Sequence, residues 1–419
     1  MHASPLAKTP AATDMPHKIR TLLFSTLYPS SARPGHGIFV ETRLRELLKT
    51  GEVETRVVAP VPWFFSTDEK YGEYARMAAT PKQETRNGID VSHPRYFLPP
   101  KIGMNVAPFT LALGAIPAIR RLQREGFDFD LIDAHYYYPD GVAAALLAAY
   151  FGKPFAVTAR GTDLNLIPKY PLPRKFILDA ARKASASISV CRALSDELAS
   201  LGADPEKLNV LRNGVDLERF HPLPQAEARN GLDLDQGKTL LSVGHLVERK
   251  GHHLVIGMLP LLPDYQLIIA GDGPERAALE SLARQLDVAD RVKFVGAVTQ
   301  STLTRYYAAA DILILASSRE GWANVLLESM ACGTPVVATN IWGTPEVVSS
   351  PVAGRLADQR TPASLVAAVQ SLMADYPNRG EVRAYAEKFS WEETTRGQID
   401  LFRKIIKGNP PSTGKLNHA

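Results

Sequence analysis

Cysteines, long apolar runs and blocks of like charge are all scarce in this sequence. It has two cysteines in 419 residues, which excludes a disulfide framework and a cysteine-rich metal cluster. No run of roughly 18 uncharged apolar residues occurs, so we predict no membrane-spanning helix. The segment 1–17 is polar and lacks the apolar core of a secretory signal. These absences predict a cytoplasmic protein.

Positive and negative charges are nearly balanced. Lysine and arginine total 48 and aspartate and glutamate total 44, which gives a formal net charge of +4. Nucleic-acid-binding proteins usually concentrate positive charge on one face, and the sequence has no such block. We therefore expect no nucleic-acid partner. A mildly basic patch that faces anionic lipid or a phosphate-bearing ligand stays open.

The chain is longer than a single hydrophobic core usually supports, so we expect two domains. Each half alternates predicted strands with predicted helices, which favours an α/β fold with doubly wound sheets. A segment with prolines and glutamines separates the halves and is interpreted as a linker. The predicted divisions are a mobile leader (1–17), a first domain (18–220), the linker (221–238), a second domain (239–385), a terminal helix (386–407) and a tail (408–419).

The stretch 317–346 carries the strongest functional signal. A buried apolar strand over 312–315 precedes a loop with Glu320, and Asn324 is predicted to cap a helix that runs to about Ala331. Glu328 is placed near the start of that helix, and a turn then leads to a buried strand over 336–338. This order presents Glu320 and free backbone amides at the carboxyl edge of a parallel sheet, where they can meet an anion.

These residues resemble the donor-site signature of the retaining GT-B glycosyltransferases of family 4, the group 1 glycosyl transferases. The resemblance rests on Glu320-Gly321, Glu328, the run 330–339, and Gly343 with Glu346. It implies two facing Rossmann-like doubly wound domains, with the terminal helix crossing back to the first. Many members have Phe-Gly after the Glu-Gly pair, whereas this chain has Trp322-Ala323-Asn324, a change that bears on the sugar preference.

The resemblance implies roles that suit the chemistry of a nucleotide sugar. A carboxylate accepts hydrogen bonds from two hydroxyls at once, so Glu328 is expected to hold the ribose and Glu320 the sugar. Amides from Trp322 to Val325 are expected to meet the diphosphate. The alternative is that both glutamates are solvated charges at helix ends. The expected donor-binding set is Gly37, His245, Gly273, Gly321, Trp322, Ala323, Asn324, Val325 and Glu328.

A cationic loop follows the first predicted strand of the second domain. Its Arg249 and Lys250 resemble the family's diphosphate clamp, and two adjacent cations suit two phosphate groups. His245 stands where relatives commonly have arginine. The alternative interpretation is a solvated pair of cations.

In the first half, the predicted strand 131–135 ends at His135, where sites lie in open α/β sheets. By resemblance His135 touches the transferred sugar, although a lone histidine is usually structural. Arg160 replaces a histidine that relatives often have, and it and Asp163 are expected to position the acceptor or sugar; a surface loop charge is the alternative for Arg160. The segment 60–100 is predicted to be irregular and contains many aromatic residues, and the resemblance implies that it holds the acceptor.

The implied reaction is a metal-independent, cofactor-free hexosyl transfer with retention, from a nucleoside diphosphate sugar to a glycan or lipid-linked acceptor in cell-surface polysaccharide biosynthesis. Glu320, His135, Lys250 and Arg249 are the expected catalytic residues.

Asp128-Phe-Asp130 has the spacing of a metal motif but is interpreted as surface charge. The helix predicted over 107–123 could rest on the inner face of a membrane, or could be a core helix. A non-catalytic nucleotide-sugar-binding subunit, an epimerase and a phosphorylase remain as alternatives.

Overall fold

The computed structural model describes residues 18–100, 102–232, 234 and 237–409. The predicted leader (1–17) and most of the predicted tail (410–419) lie outside the described residues. Within the described part, two sheets of strands with helices on both faces account for most of the chain.

The first domain is built on an eight-stranded sheet with the order β10-β9-β8-β7-β1-β2-β5-β4, beside a two-stranded ribbon of β3 and β6. All of its pairs are parallel except β4 with β5. The strands are β1 (Ile19–Phe24), β2 (Val53–Val58), β3 (Val61–Pro62), β4 (Gln83–Arg86), β5 (Ile89–Ser92), β6 (Arg95–Tyr96), β7 (Leu131–His135), β8 (Phe155–Ala159), β9 (Ala186–Ser189) and β10 (Leu208–Val210).

Helices cover both faces of this sheet, which explains why β7, β8 and β9 are buried at every position. The helices are α1 (Ile38–Lys49), α2 (Glu73–Ala79), α3 (Gly103–Arg124), α4 (Val142–Phe151), α5 (Thr162–Asn165), α6 (Pro171–Lys183) and α7 (Arg192–Ser200).

The second domain has a six-stranded parallel sheet with the order β13-β12-β11-β14-β15-β16. Its strands are β11 (Lys238–Val243), β12 (Tyr265–Ala270), β13 (Val292–Gly296), β14 (Ile312–Leu315), β15 (Val336–Thr339) and β16 (Gly354–Ala357). The remaining helices are α8 (Gln225–Asn230), α9 (His252–Ile256), α10 (Arg276–Gln285), α11 (Gln300–Ala309), α12 (Asn324–Ala331), α13 (Thr344–Val347), α14 (Pro362–Ala374), α15 (Arg379–Glu387) and α16 (Trp391–Gly408).

The last helix, α16, packs on the sheet of the first domain. Its Ile399, Phe402 and Ile405 are buried against residues of β1, β2 and β7. At its start, the hinge turn Asn213-Gly214 lies so close that a Cβ on Gly214 would be 2.6 Å from the backbone nitrogen of Trp391. The chain therefore passes between the two domains at two adjacent segments, the turn at Gly214 and the start of α16, and the two domains face each other.

Three local expectations differ from the structure. The segment 60–100 is not irregular, since it contains β3 to β6 and α2. The segment 221–238 contains α8, whose Arg229 donates to the Asp311 carboxylate at 2.9 Å and so holds α8 against the second domain. The helix predicted over 107–123 extends over Gly103–Arg124 with two prolines inside it. Short strands and polar helices carry too little periodic apolar signal to be read in advance.

Candidate active site

Loops at the carboxyl ends of the strands enclose a cavity of about 400 Å³ between the domains. The first domain contributes the loops after β1, β7 and β8, and the second contributes the loops after β11 and β14. This is where ligands bind in open α/β sheets. Nine residues singled out in the sequence line the cavity: Arg160, Arg249, Lys250, Glu320, Gly321, Trp322, Ala323, Asn324 and Val325.

Glu320 occupies the second-domain wall and is held by three neighbours. Its Oε1 accepts from Lys250 Nζ at 2.6 Å and from Ser317 Oγ at 2.7 Å, and the Arg249 guanidinium lies 3.5 Å away. Burial favours the protonated form, but the two cations and the hydrogen bonds outweigh it and lower the pKa of Glu320. The carboxylate is therefore ionised at neutral pH, with Oε1 occupied by protein groups.

The two cations of the clamp come from the loop after β11. Gly251 ends this loop in a left-handed conformation, with φ of 73°, and a Cβ there would be 2.0 Å from the Ala316 carbonyl oxygen. Ser318 N donates to Arg249 O at 2.8 Å, and Arg249 Nη1 donates to Arg319 O at 3.0 Å. The clamp loop and the Glu320 loop are thus joined through their backbones, and the charges lie in fixed positions.

Glycines allow the Glu320 loop to touch the first domain. A Cβ on Gly321 would be 2.0 Å from the Arg160 carbonyl oxygen, and one on Gly161 would be 3.0 Å from Gly321 N. On the other side of the loop, a Cβ on Gly343 would be 2.2 Å from Gly321 O. The backbones of the two domains are therefore in direct contact at the mouth of the site, which is a closed arrangement.

The prediction that Asn324 caps α12 is wrong, although the helix does begin at this residue. Asn324 is the first residue of α12, Ala323 precedes the helix, and no side-chain cap forms. The Asn324 side chain instead accepts from Asn213 Nδ2 of the first domain at 3.3 Å. Trp322 is buried and packs against Phe389, and its indole nitrogen has no hydrogen-bond partner. Asn324 and Val325 line the cavity, so the start of α12 forms part of its wall.

Glu328 lies in the second turn of α12 rather than at its start, and outside the cavity lining. The Tyr307 hydroxyl of α11 donates to its Oε2 at 2.8 Å. Burial raises the pKa of Glu328 to about 7, against the smaller effects of Tyr307 and Arg219. The pKa values of Glu328 and Glu320 are thus shifted in opposite directions, although the sequence predicts a carboxylate acceptor at both positions.

Arg160 and His135 lie together on the first-domain wall. Arg160 donates to His135 Nδ1 and, through Nη1, to Asn213 Oδ1 at 3.2 Å. His135 Nε2 is 3.3 Å from Asp133 Oδ2, so the ring carries its proton on Nε2 and both nitrogens are engaged. Burial lowers the pKa of His135 to about 4, which keeps the ring neutral. Arg160 lines the cavity, whereas His135 lies behind it.

Asp163 is fully buried and directed at backbone amides rather than at the cavity. Its carboxylate accepts from Tyr137 N at 2.8 Å, Gly161 N at 2.6 Å and Arg160 N at 3.1 Å. Burial raises the pKa of Asp163. This carboxylate fixes the loop after β8 and so places the side chain of Arg160.

Three further predicted residues lie outside the lining. Gly37 ends the loop before α1 with φ of 68°, and a Cβ there would be 2.3 Å from Leu27 O. A Cβ on Gly273 would be 2.5 Å from Leu246 O, so this glycine also serves close backbone packing. His245 is exposed at the edge of the clamp loop.

Comparison with known proteins settles the family. The Glycosyltransferase Family 4 model matches residues 35–219, and the Glycosyl transferases group 1 model matches residues 224–389. The chain is 30% identical over 336 residues to TuaC of Bacillus subtilis (strain 168), named as a teichuronic acid biosynthesis glycosyltransferase; the match covers 78% of this chain and 82% of that protein. The chain belongs to the group 1 glycosyltransferases of family 4.

A further relative is also a glycosyltransferase, and solved structures share the fold. A D-inositol 3-phosphate glycosyltransferase of Xylanimonas cellulosilytica is 30% identical over 308 residues, covering 67% of this chain and 73% of that protein. Sucrose-phosphate synthase from Thermosynechococcus elongatus superposes with a TM-score of 0.77 at 20% identity, covering 94% of this chain and 100% of that one. HepE of Anabaena in complex with UDP gives 0.70 at 20% identity, covering 92% and 100%. The prediction of a GT-B fold with two Rossmann-like domains is confirmed.

Several residues of this group 1 glycosyltransferase site were missed in the sequence. Tyr136 and Asn165 line the cavity from the first domain. Asn213 joins Arg160 to Asn324 across the domains, although in the sequence its Asn-Gly pair resembles the family's hinge-side turn and equally suits a plain turn. Glu346, quoted only for the resemblance, accepts from Arg212 at 2.6 Å and links the domains beside the cavity.

A second missed feature is a chain of hydrogen bonds from α16 to the site of the enzyme. Gln398 Nε2 donates to Asp133 Oδ2 at 3.1 Å, and Arg43 Nε donates to Gln398 Oε1 at 2.8 Å. Asp133 in turn holds His135, and His135 holds Arg160. All of these side chains are buried. The crossing helix of this glycosyltransferase therefore helps to position a cavity residue.

The described residues contain neither a helix suited to crossing a membrane nor a cluster suited to holding a metal ion. In the described ranges, no helix is both long and apolar enough to cross a membrane. Across the same residues, no group of three histidine, cysteine, aspartate or glutamate side chains is arranged to hold a metal ion. Of the two aspartates with metal-motif spacing, Asp128 forms an ion pair with Lys153 at 2.9 Å and Asp130 accepts from Arg20 N at 2.7 Å.

Proposed function

We propose that this glycosyltransferase moves a hexose-type sugar, with retention, from a nucleoside diphosphate sugar to a hydroxyl of a glycan or lipid-linked acceptor. The observation that carries the proposal is Glu320, an ionised carboxylate held between Lys250 and Arg249 in a cavity with walls from both domains. HepE, a structural neighbour, was solved with UDP. TuaC is named for teichuronic acid biosynthesis, and a role in cell-surface polysaccharide synthesis is proposed on that likeness.

The proposed division of labour follows the charges. The diphosphate lies near Lys250, Arg249 and the first amides of α12, where developing negative charge on the leaving group is stabilised. The free oxygen of Glu320 accepts from a sugar hydroxyl and orients the ring. These two cations supply the positive charge that a metal ion supplies elsewhere, so we propose a metal-independent reaction without a cofactor.

The acceptor hydroxyl attacks the anomeric carbon from the face that the diphosphate leaves. The bond from the anomeric carbon to the phosphate oxygen breaks as the new glycosidic bond forms, and the hydroxyl proton passes to the departing phosphate. Because attack and departure use one face, the configuration is retained. His135 is proposed to act through Arg160, since both of its ring nitrogens are engaged.

The nucleotide base is testable by thermal unfolding with UDP, GDP and ADP. A ligand at about one hundred times its Kd stabilises the protein that binds it by about 2.7 kcal/mol. We expect one base to stabilise the protein, and the corresponding nucleotide sugars to do the same. No response to any of the three nucleotides would contradict the proposed function.

Lys250→Ala should weaken binding of the selected diphosphate roughly tenfold to a hundredfold, since a charge-assisted hydrogen bond is lost. Binding of the nucleoside alone should change much less. Calorimetry with both ligands measures the difference. Equal effects on nucleoside and diphosphate would place the phosphate site elsewhere.

Donor affinity should fall in mildly acidic solution. Glu328 lies outside the cavity lining, and we propose that it accepts from the ribose diol; with a pKa of about 7 it loses its charge as the pH falls. A nucleotide sugar carries phosphates that do not titrate near neutrality, so its Kd should rise roughly tenfold between about pH 8 and pH 6. Glu328→Gln should bind weakly with a flat profile. The same slope in both proteins would remove Glu328 from the ribose site.

We also propose that the first domain contacts a membrane peripherally. Phe109 of α3 meets Phe176 of α6 at 5.5 Å between ring centroids, so the two helices form one face. This α3–α6 face carries exposed apolar side chains next to the exposed cations Lys169 and Lys175, a combination that suits anionic lipid. The apolar members are Phe109, Leu113, Tyr170 and Leu172, exposed by 41%, 69%, 47% and 42%.

Replacing Leu113 and Leu172 together with glutamate should weaken binding to phosphatidylglycerol-containing vesicles by roughly tenfold or more, because apolar contact is lost and negative charge is added. Co-sedimentation measures the bound fraction. Leu261→Glu is the matched control, since Leu261 is 55% exposed on the second domain. Equal binding by all three proteins would refute the membrane contact.

A further inference from the structure

The two walls of the cavity carry different charge arrangements. On the second-domain wall, Arg249 and Lys250 both face the Glu320 carboxylate. On the first-domain wall, Arg160 is the charged side chain among the described lining residues, and no lining carboxylate from that domain stands beside it. The cation of the first domain therefore has no counter-charge within the cavity wall.

The hydrogen bonds of the Arg160 guanidinium are both to neutral groups, whereas its backbone N–H donates to Asp163. Its guanidinium donates to a histidine ring and to the Asn213 amide, and it lies 5.4 Å from the centre of the Phe39 ring. Among the described residues the guanidinium forms no ion pair within 4.0 Å, and the carboxylates of Asp133 and Asp163 act on it only from a greater distance. Asp163, in the same loop, directs its carboxylate at backbone amides. Arg160 is 9% exposed, and its Nε has no hydrogen-bond partner.

Asn165 provides a second incomplete polar group on the same wall. It lines the cavity, is 5% exposed, and its Oδ1 has no hydrogen-bond partner. Buried polar atoms of folded proteins are nearly always paired, and an unpaired buried cation is costly. A ligand that brings an anionic group and a hydroxyl would complete both groups at once.

We infer that the acceptor carries a carboxylate or phosphate that pairs with Arg160, and that Asn165 accepts from a neighbouring hydroxyl of the same sugar. This inference rests on the proposed function and specifies its acceptor class. The donor diphosphate is the other anion in the reaction. It has Arg249, Lys250 and the start of α12 on the opposite wall, whereas the first-domain wall presents Arg160 alone.

Matched acceptors test the inference directly. The panel is p-nitrophenyl β-glucoside, p-nitrophenyl β-glucuronide and p-nitrophenyl β-glucoside 6-phosphate, which differ at one carbon. Transfer is measured with the donor selected above, and inhibition of donor hydrolysis is measured in parallel, so that a compound that binds without reacting is still detected. We expect at least one anionic member to exceed the neutral glucoside roughly tenfold or more in kcat/KM or in inhibitory potency.

Substitutions distinguish the acceptor from the donor as the source of the anion. Arg160→Gln should reduce the anionic preference to near unity, and Arg160→Lys should keep part of it. Asn165→Ala should lower kcat/KM for neutral and anionic acceptors alike. Arg319→Gln is the matched control, because Arg319 is a second-domain lining residue and should not change the preference.

The outcomes separate the inference from the proposed function. An enzyme that hydrolyses the donor but treats all three acceptors alike overturns the inference and leaves the proposed function standing. A loss of diphosphate affinity in Arg160→Gln as large as its loss on the anionic acceptor assigns Arg160 to the donor and also overturns it. An enzyme that neither binds nor hydrolyses any nucleotide sugar contradicts the proposed function itself.

Discussion

Glu320→Ala lowers kcat by roughly a hundredfold to a thousandfold, the effect expected when one preorganised electrostatic contact to the reacting centre is removed. The carboxylate orients the sugar and also fixes the two cations that face the diphosphate, at 2.6 Å from Lys250 and 3.5 Å from Arg249. Without it the cations are free to turn toward the phosphates. Affinity for the nucleoside diphosphate should therefore stay the same or increase.

Steady-state kinetics and calorimetry on the same preparations measure the two effects. Glu248→Ala is the matched control, since Glu248 precedes Arg249 in the clamp loop but its exposed side chain pairs with Arg360. It should leave kcat within about twofold of wild type, as expected for a surface ion pair. Parallel losses of turnover and nucleotide affinity in Glu320→Ala would remove Glu320 from the sugar site.

Gly321→Ala should lower kcat by roughly a hundredfold while both domains remain folded. The added Cβ would lie 2.0 Å from the Arg160 carbonyl oxygen, so the domains could meet only after the two loops shift apart. A displacement of about 1 Å in a catalytic arrangement is enough for a loss of that size. The hinge can open to relieve the clash, so the thermal unfolding transition should change little.

Turnover and small-angle X-ray scattering in the presence of the nucleotide measure this effect. The variant should have a larger radius of gyration than wild type when ligand is bound. Gly35→Ala is the control, because a Cβ at Gly35 meets nothing within 4 Å. Wild-type turnover in Gly321→Ala would show that the contact between Gly321 and Arg160 is not part of the reactive state.

The local sequence was sufficient to predict those site residues that lie at the ends of buried strands. The strand over Leu131–His135 forms with the predicted bounds, and Glu320 follows a buried strand at a sheet edge as expected. Buried parallel strands are continuous apolar runs, and the loop after each one is forced to the carboxyl edge. Lys250 and Glu320, 70 positions apart, were both placed at this edge, and they meet at 2.6 Å.

Contacts between domains could not be predicted in the same way. Gln398 reaches Asp133 across 265 positions, and nothing in the local pattern around either residue indicates the pair. The packing of Gly161 against Gly321 depends on how far the hinge closes, which no single segment determines. The same holds for Arg160, whose lack of a carboxylate partner is visible only when every neighbour is in place.

Charge states also depended on the complete structure. The sequence predicts that both Glu320 and Glu328 act as hydrogen-bond-accepting carboxylates, and gives no sign that their pKa values differ. In the structure Glu320 gains two cations that lower its pKa, whereas Glu328 lies beside a tyrosine and burial raises its pKa. The difference in pKa arises from neighbours that are distant in the chain. Lys250, in the loop after β11, contacts Glu320, and Tyr307, on α11, contacts Glu328.

The configuration of the transferred sugar tests the account most directly. Methanol can replace the acceptor, and the resulting methyl glycoside does not interconvert between anomers, so proton NMR reads the outcome of the transfer itself. With an α-linked nucleotide sugar, attack and departure on one face of the Glu320 site predict the methyl α-glycoside. Formation of the β-glycoside would contradict the proposed arrangement of diphosphate, Glu320 and acceptor in the cavity.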